Sequence, residues 1–140
     1  MNPVAGGRIT LEGIPGIPEI RPGDDLPGIL ADSIRRSGIP IEGGEILVVA
    51  HKIVSKAEGR IVRLADVVPS PRAEELAALL GKNPAKVEVI LSETSEVVRA
   101  ERQEGRPEGL LIVAHRLGFV MANAGVDESN APPGCVLLLP

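Results

Sequence analysis

The chain has 140 residues with 15 Lys+Arg against 19 Asp+Glu, a formal charge of −4, and its pI near 5.2 argues against the basic footprint of a nucleic-acid binder. Phe119 is the one aromatic residue, so base-stacking modules for single strands are disfavoured too, and Ile, Val, Leu and Ala must fill the core. The single cysteine, Cys135, rules out an internal disulfide and a Cys-rich zinc site and fits a reducing cytoplasm.

About 150 residues is the usual size of one domain, so one is expected over 1–140. Residues 1–10 hold no apolar run of signal-peptide length. Aliphatic blocks such as 46–50 fall far short of the ~20 residues needed to cross a membrane. Ile9 and Leu11 alternate with polar neighbours and predict a short strand ending at Gly13. Residues 13–18 follow as a loop in which two prolines forbid both helix and central strand. Asp24 or Asp25 then offers an N-cap for a helix from about Leu26 to Ser37, with Arg35 and Arg36 in its last turn and Gly38 just past it. Residues 45–51 hold an unbroken Ile46-Leu47-Val48-Val49 run, the pattern of a strand buried on both faces. Residues 52–63 read as a polar stretch.

Ser70 and Pro71 mark the start of a helix over about 72–80 that stops at Gly81. Asn83 and Pro84 repeat that signal for a helix to about Glu93. The last third reads as β-rich, with strands over 96–101 and 110–115. A tight Leu117-Gly118 link leads to a strand over 119–122, so the two runs predict a hairpin. Residues 136–139 form a final strand. The expected fold is α/β (mixed α+β), one mixed sheet of about six or seven strands with about three helices. An aliphatic strand at the very end is expected to be tied into a sheet or to continue into further sequence, and continuation is the preferred reading.

Familiar nucleotide signatures are missing: Gly81-Lys82 lacks the rest of a P-loop, and no G-x-G-x-x-G occurs. A backbone concavity with a lysine and a metal carboxylate can nevertheless hold phosphates. Three stretches offer those parts. Residues 51–60 place His51, Lys52, Ser55, Lys56 and Arg60 at the end of the aliphatic run; a solvated turn is the bland alternative. Residues 123–130 contain Asp127, a possible ligand for a hard cation, and Asn130, a possible nucleotide donor, against the alternative of a turn rich in Asx residues. The loop over 13–20 interrupts ladder pairing with prolines and leaves the amides of Gly16, Ile17, Glu19 and Ile20 free for a ligand or simply turning. Three other sites suit structural readings: His115 as a half-buried structural histidine, Glu93 and Glu96 as solvated charges, and Cys135 as an inert buried thiol.

Taken together, Ile17-Pro18-Glu19-Ile20-Arg21-Pro22-Gly23-Asp24-Asp25-Leu26, Lys52-Ile53-Val54-Ser55-Lys56-Ala57-Glu58-Gly59-Arg60 and Asn123-Ala124-Gly125-Val126-Asp127-Glu128-Ser129-Asn130 resemble, in order and spacing, the coenzyme F420-0:L-glutamate ligase (γ-glutamyl ligase) family. The resemblance implies a GTP-dependent cytoplasmic ligase that joins L-glutamate to coenzyme F420-0 through an acyl phosphate, with Mg²⁺ or Mn²⁺ at the phosphates, K⁺ as a monovalent ion, and a homodimeric assembly. By the same resemblance Ile17, Pro18, Glu19 and Ile20 surround the guanine nucleotide, and His51, Lys52 and Asn130 make further GTP contacts. Lys56 binds phosphate and Asp127 ligates the metal, the two residues on which catalysis rests. Members of that family run to about twice this length, and their second half supplies more metal ligands, so this chain resembles an N-terminal portion. The competing reading is a non-catalytic module that assembles by pairing strand edges. The ligase reading requires Lys56 and Asp127 to converge on one pocket.

Overall fold

The computed structural model describes residues 9–140. In chain order these form α1 (Leu26–Ser37), α2 (His51–Ala57), β1 (Ile61–Arg63), α3 (Pro71–Leu80), α4 (Pro84–Ser92), β2 (Thr94–Glu101), β3 (Leu110–His115), β4 (Val120–Ala122) and β5 (Cys135–Leu137), with 3₁₀ turns at Leu64–Asp66 and Asn123–Gly125.

Three helices begin where side chains satisfy the orphan amides of a first turn. Asp25 accepts from the Gly28 amide at 3.2 Å, Ser70 from Ala73 at 3.3 Å, and Asn83 from Ala85 and Lys86 at 2.9 and 3.2 Å. Pro71 and Pro84 stand at the first helical positions, where their missing N–H costs nothing. Gly38 and Gly81 close α1 and α3 in the left-handed conformation, at φ 70° and 65°. Helix α2 has no such signal. Ala50 precedes it without a side-chain cap, so residues 52–57, expected as part of a polar stretch, are helical without announcing it.

The strands make two small antiparallel sheets, β1-β5 and β2-β3-β4. The expected hairpin forms, with Val113 opposite Met121. On the other side of β3, Val97 pairs with Val113, and β2 carries irregularities at Ser95 and Val98. Leu80, Val89, Ile90, Leu111, Val113, Ala124, Val126, Val136 and Leu138 pack as one buried cluster between α4 and the strands, beside a second cluster of Ala73, Leu76, Ala77 and Val87. Aliphatic side chains alone fill both, as the shortage of aromatics demands.

Several expectations are corrected. The mixed α+β class holds, but the described residues form four helices rather than three, and five strands in two sheets rather than six or seven in one. No strand forms at Ile9 and Leu11, which are exposed; their expected neighbour Arg8 lies outside the described residues. Residues 45–50 form no ladder, and Ile46, Leu47 and Val48 are exposed. An apolar run specifies a wish to be buried, but a strand exists only where another strand meets its backbone groups. The C-terminal strand is tied into a sheet: β5 pairs with β1, and the Leu138 amide donates to the Arg60 carbonyl at 3.0 Å.

Candidate functional site

Four residues apart on α2, Lys52 and Lys56 lie on one helix face. That face meets two loops. The first descends through Glu19 and Ile20 and is docked on the end of α2 by the Gly23 amide, which donates to the Ala57 carbonyl at 2.8 Å. It brings the Glu19 carboxylate to 2.5 Å from the Lys56 ammonium. Lys56 is buried and Glu19 exposed, so a low-dielectric wall surrounds the cation while its counter-ion stays at the rim. Glu19, Ile20, Arg21, Pro22, Lys56, Ile61, Asn130, Ala131 and Pro132 enclose a cleft of about 310 Å³.

The second loop carries Asp127. Its backbone is bridged both ways to Leu137, N–H to carbonyl at 3.0 and 2.8 Å, which hangs it on the β1-β5 sheet beside α2. It is reached through a left-handed turn in which Asn123, Ala124 and Gly125 have φ of 52°, 50° and 70°. Asn and Gly suit that conformation, whereas the buried Ala124 is strained in it by about 1–2 kcal/mol. The Asp127 Oδ1 accepts the Ser129 amide and Oδ2 the Ser129 hydroxyl, both at 2.8 Å, while the Lys52 ammonium stands 2.6 Å from Oδ2 and also reaches the Ser129 hydroxyl. Partial burial pushes the Asp127 carboxyl up, but the Lys52 contact, the two Ser129 hydrogen bonds and the Lys52 charge outweigh it and hold the group down at about 2. Asp127 is therefore an anion across the whole physiological range. The neighbouring Glu128 turns away to Lys86 on α4, at 2.9 Å.

Glu19, Ile20, Lys56 and Asn130 thus share the cleft, and Lys52 with Asp127 forms the adjoining ion pair one helical turn away. Asp127, Lys52 and His51 do not line the cleft, so Lys56 and Asp127 share no wall of it and are linked through α2 and the loop that carries Asn130; among the described residues no ion pair joins them directly. Ile17 and Pro18 precede Glu19 on the same loop but do not line the cleft. His51 opens α2 with its Nε2 buried and without a hydrogen-bond partner among the described residues. Also among the described residues, no group of three or more His, Cys, Asp or Glu could hold a metal ion. Asp127 remains as one hard, ionised oxygen donor, which suits Mg²⁺, an ion usually held by one or two carboxylates together with substrate phosphates.

Sequence reasoning missed Ser129, although the Asp-x-Ser spacing that lets an Asp accept the amide two residues on was visible. It also missed the Lys86–Glu128 anchor, which no local pattern announces. The remaining candidates are corrected. His115 is fully rather than half buried, stacked 5.0 Å from Phe119, with its Nδ1 accepting the Leu117 amide at 3.0 Å. Glu93 is buried and accepts from Arg60 and Arg116, each at 2.8 Å, so it is no solvated charge; Glu96 is exposed as expected. Cys135 is half-buried.

Residues 16–140 match the family model described as F420-0:Gamma-glutamyl ligase. Among curated proteins, the chain is 47% identical over 137 residues to the coenzyme F420:L-glutamate ligase of Methanopyrus kandleri, covering 96% of this chain and 50% of that protein. It is 40% identical over 132 residues to the protein of the same name from Methanothermobacter thermautotrophicus, covering 94% and 50%. Against that of Archaeoglobus fulgidus it is 38% identical over 133 residues, covering 95% and 49%. The chain spans about half the length of these relatives. Among the described residues no helix is long and apolar enough to cross a membrane.

Proposed function

Because the chain belongs to the F420-0:Gamma-glutamyl ligase family, we propose that it forms the GTP- and cation-binding half of a ligase that joins L-glutamate to coenzyme F420-0. The observation that carries this reading is a cleft lined by Lys56, held by Glu19, and by Asn130, with the Lys52–Asp127 ion pair one turn away on the same face of α2.

In the proposed reaction the γ-phosphoryl group of GTP passes to the carboxylate of F420-0, giving an acyl phosphate and GDP. The glutamate amine then attacks the acyl carbon, an amide forms, and phosphate leaves with the C–O bonding pair. Such a transfer needs positioning and charge neutralisation more than a protein nucleophile. Lys56, walled by protein and held in place by Glu19, exchanges that carboxylate for a phosphate oxygen. Lys52 stands one turn away and would be released to do the same when Asp127 holds a cation. A Mg²⁺ or Mn²⁺ ion held by Asp127 would supply neutralisation of the phosphate charge. Asn130, on the cleft wall, is placed to donate to the nucleotide.

The test is GTP binding by titration calorimetry in Mg²⁺. Lys56→Ala is expected to weaken it by ~1.5–3 kcal/mol, the worth of a charge-assisted contact, or roughly tenfold to a hundredfold in Kd, and Asp127→Ala to remove the Mg²⁺ dependence. Unchanged affinity in both variants would overturn the reading. In a coupled GTP-hydrolysis and glutamylation assay this chain by itself is expected to turn over little, since it spans half of its relatives. The strand-pairing reading is favoured by one observation, the uncovered run at 46–49.

A further inference from the structure

Residues 45–50 are aliphatic at every position after Glu45, a composition suited to a strand covered on both faces and paired along its edges. The structure satisfies half of that demand. Leu47, half exposed, and Val49, half-buried, line an apolar groove of about 630 Å³ with Leu26, Leu30 and Ile34 of α1 and Val54 of α2. Ile46 and Val48 alternate with them and face solvent, 86% and 83% exposed. The amides of residues 46–49 have no backbone partner among the described residues.

The segment is nonetheless held open at both ends. The Glu45 carboxylate accepts from the Glu42 and Gly43 amides at 3.2 and 2.8 Å, fixing the entry. At the exit Ala50, extended at φ −65°, ψ 131°, leads directly into α2. An anchored, wholly aliphatic run whose side chains alternate in exposure, with open backbone groups and an uncovered face, is a template for another strand. The matched relatives are about twice as long as the matched stretch, so a polypeptide of comparable size accompanies this half in those proteins.

We propose that residues 46–49 are an interior strand of a sheet whose other strands come from the half of the ligase length that this chain does not span, whether that half is joined to it or separate. The Ile46 and Val48 side chains pack into that half, and the amides and carbonyls of 46–49 pair with its backbone. Since the strand runs straight into His51, Lys52 and Lys56, the same docking sets the covering half against the cleft. This inference rests on family membership and not on the GTP chemistry, so it stands or falls separately.

Hydrogen exchange followed by mass spectrometry compares this chain with the full-length Methanopyrus kandleri relative. Amides 46–49 are expected to exchange within about tenfold of the unstructured rate here, and the aligned amides of the relative to be slowed at least ~1,000-fold. A photo-crosslinking side chain placed in the relative at the position aligned with Val48 should mark residues of its unmatched half. Ile46→Asp with Val48→Asp should leave the Tm of this chain unchanged, while Asp at both aligned positions lowers that of the relative by about 5 °C or more. Fast exchange at the aligned amides, crosslinks confined to the matched half, or equal effects of the Asp pair in the two proteins would each overturn the proposal. So would protection of 46–49 that grows with the concentration of this chain alone, which would make a second copy the occupant.

Discussion

Replacing Asp127 with Asn removes one negative charge and keeps the shape of the side chain, so the acceptor for the Ser129 amide survives while Lys52 loses its counter-ion and the Ser129 hydroxyl its acceptor. The carboxyl moves from 3.8 to about 2 in the folded protein, which at 1.36 kcal/mol per unit is about 2 kcal/mol. The side chain is 33% exposed, and solvent screening brings the expected contribution to about 1 kcal/mol. A depressed carboxylate stabilises the fold above its unfolded value and loses that contribution as pH falls through its folded value. Wild type should therefore exceed Asp127→Asn by about 1 kcal/mol in urea unfolding at pH 7, and the gap should close between pH 4 and pH 2. Other carboxyls with lowered values, Glu93 and Glu108 among them, titrate in both proteins and cancel in the difference. A gap that persists undiminished at pH 2, or none at pH 7, refutes the assigned Lys52–Asp127 pairing.

Two further substitutions probe what holds the site in place. Burial pushes the Glu93 carboxyl up, but hydrogen bonds from Arg116 and Arg60, with their charges, hold it below the usual range; Glu93→Gln strands both guanidinium groups and should cost about 2 kcal/mol in chemical denaturation, and a wild-type midpoint would show that water serves them as well. Gly125→Ala places a Cβ 2.7 Å from the Leu139 Cγ at φ +70°; it should lose about 2 kcal/mol and, by shifting the loop that carries Asp127, weaken Mg²⁺-dependent GTP binding, whereas an unshifted Tm would show that Leu139 moves aside freely.

Much of the local structure was legible because it is written locally. Asp25, Ser70 and Asn83 announced three helices, Gly38 and Gly81 ended two of them, and Leu117-Gly118 joined the hairpin, since each acts on amides or dihedrals within four residues of itself. Helix α2 was missed for the complementary reason: Ala50 caps nothing, and its lysines made the stretch look like a solvated loop. Ile46 to Val49 carry the composition of a buried strand, yet no described segment pairs with their amides. Glu93 is buried because Arg60 and Arg116, far from it in the chain, close round it, and His115 because it lies between Glu93 and the Phe119 ring; the partners that bury Glu93 are not written in its own neighbourhood.

For the site, residue chemistry made Lys52, Lys56, Asp127 and Asn130 candidates for phosphates, hard cations and polar ligands beside the alternative of solvated turns, and the family resemblance singled them out. Tertiary structure alone decided who faces whom: Lys56 with Glu19 at the cleft, Lys52 with Asp127 beside it, Glu128 with Lys86 behind. The sequence by itself determined helix ends, turns and the aliphatic character of the core, all set by short-range sterics and by hydropathy. Contacts such as Lys52 with Asp127 join residues far apart in the chain, and their geometry depends on how β5, the left-handed turn at 123–125 and α2 pack together, which no local signal encodes.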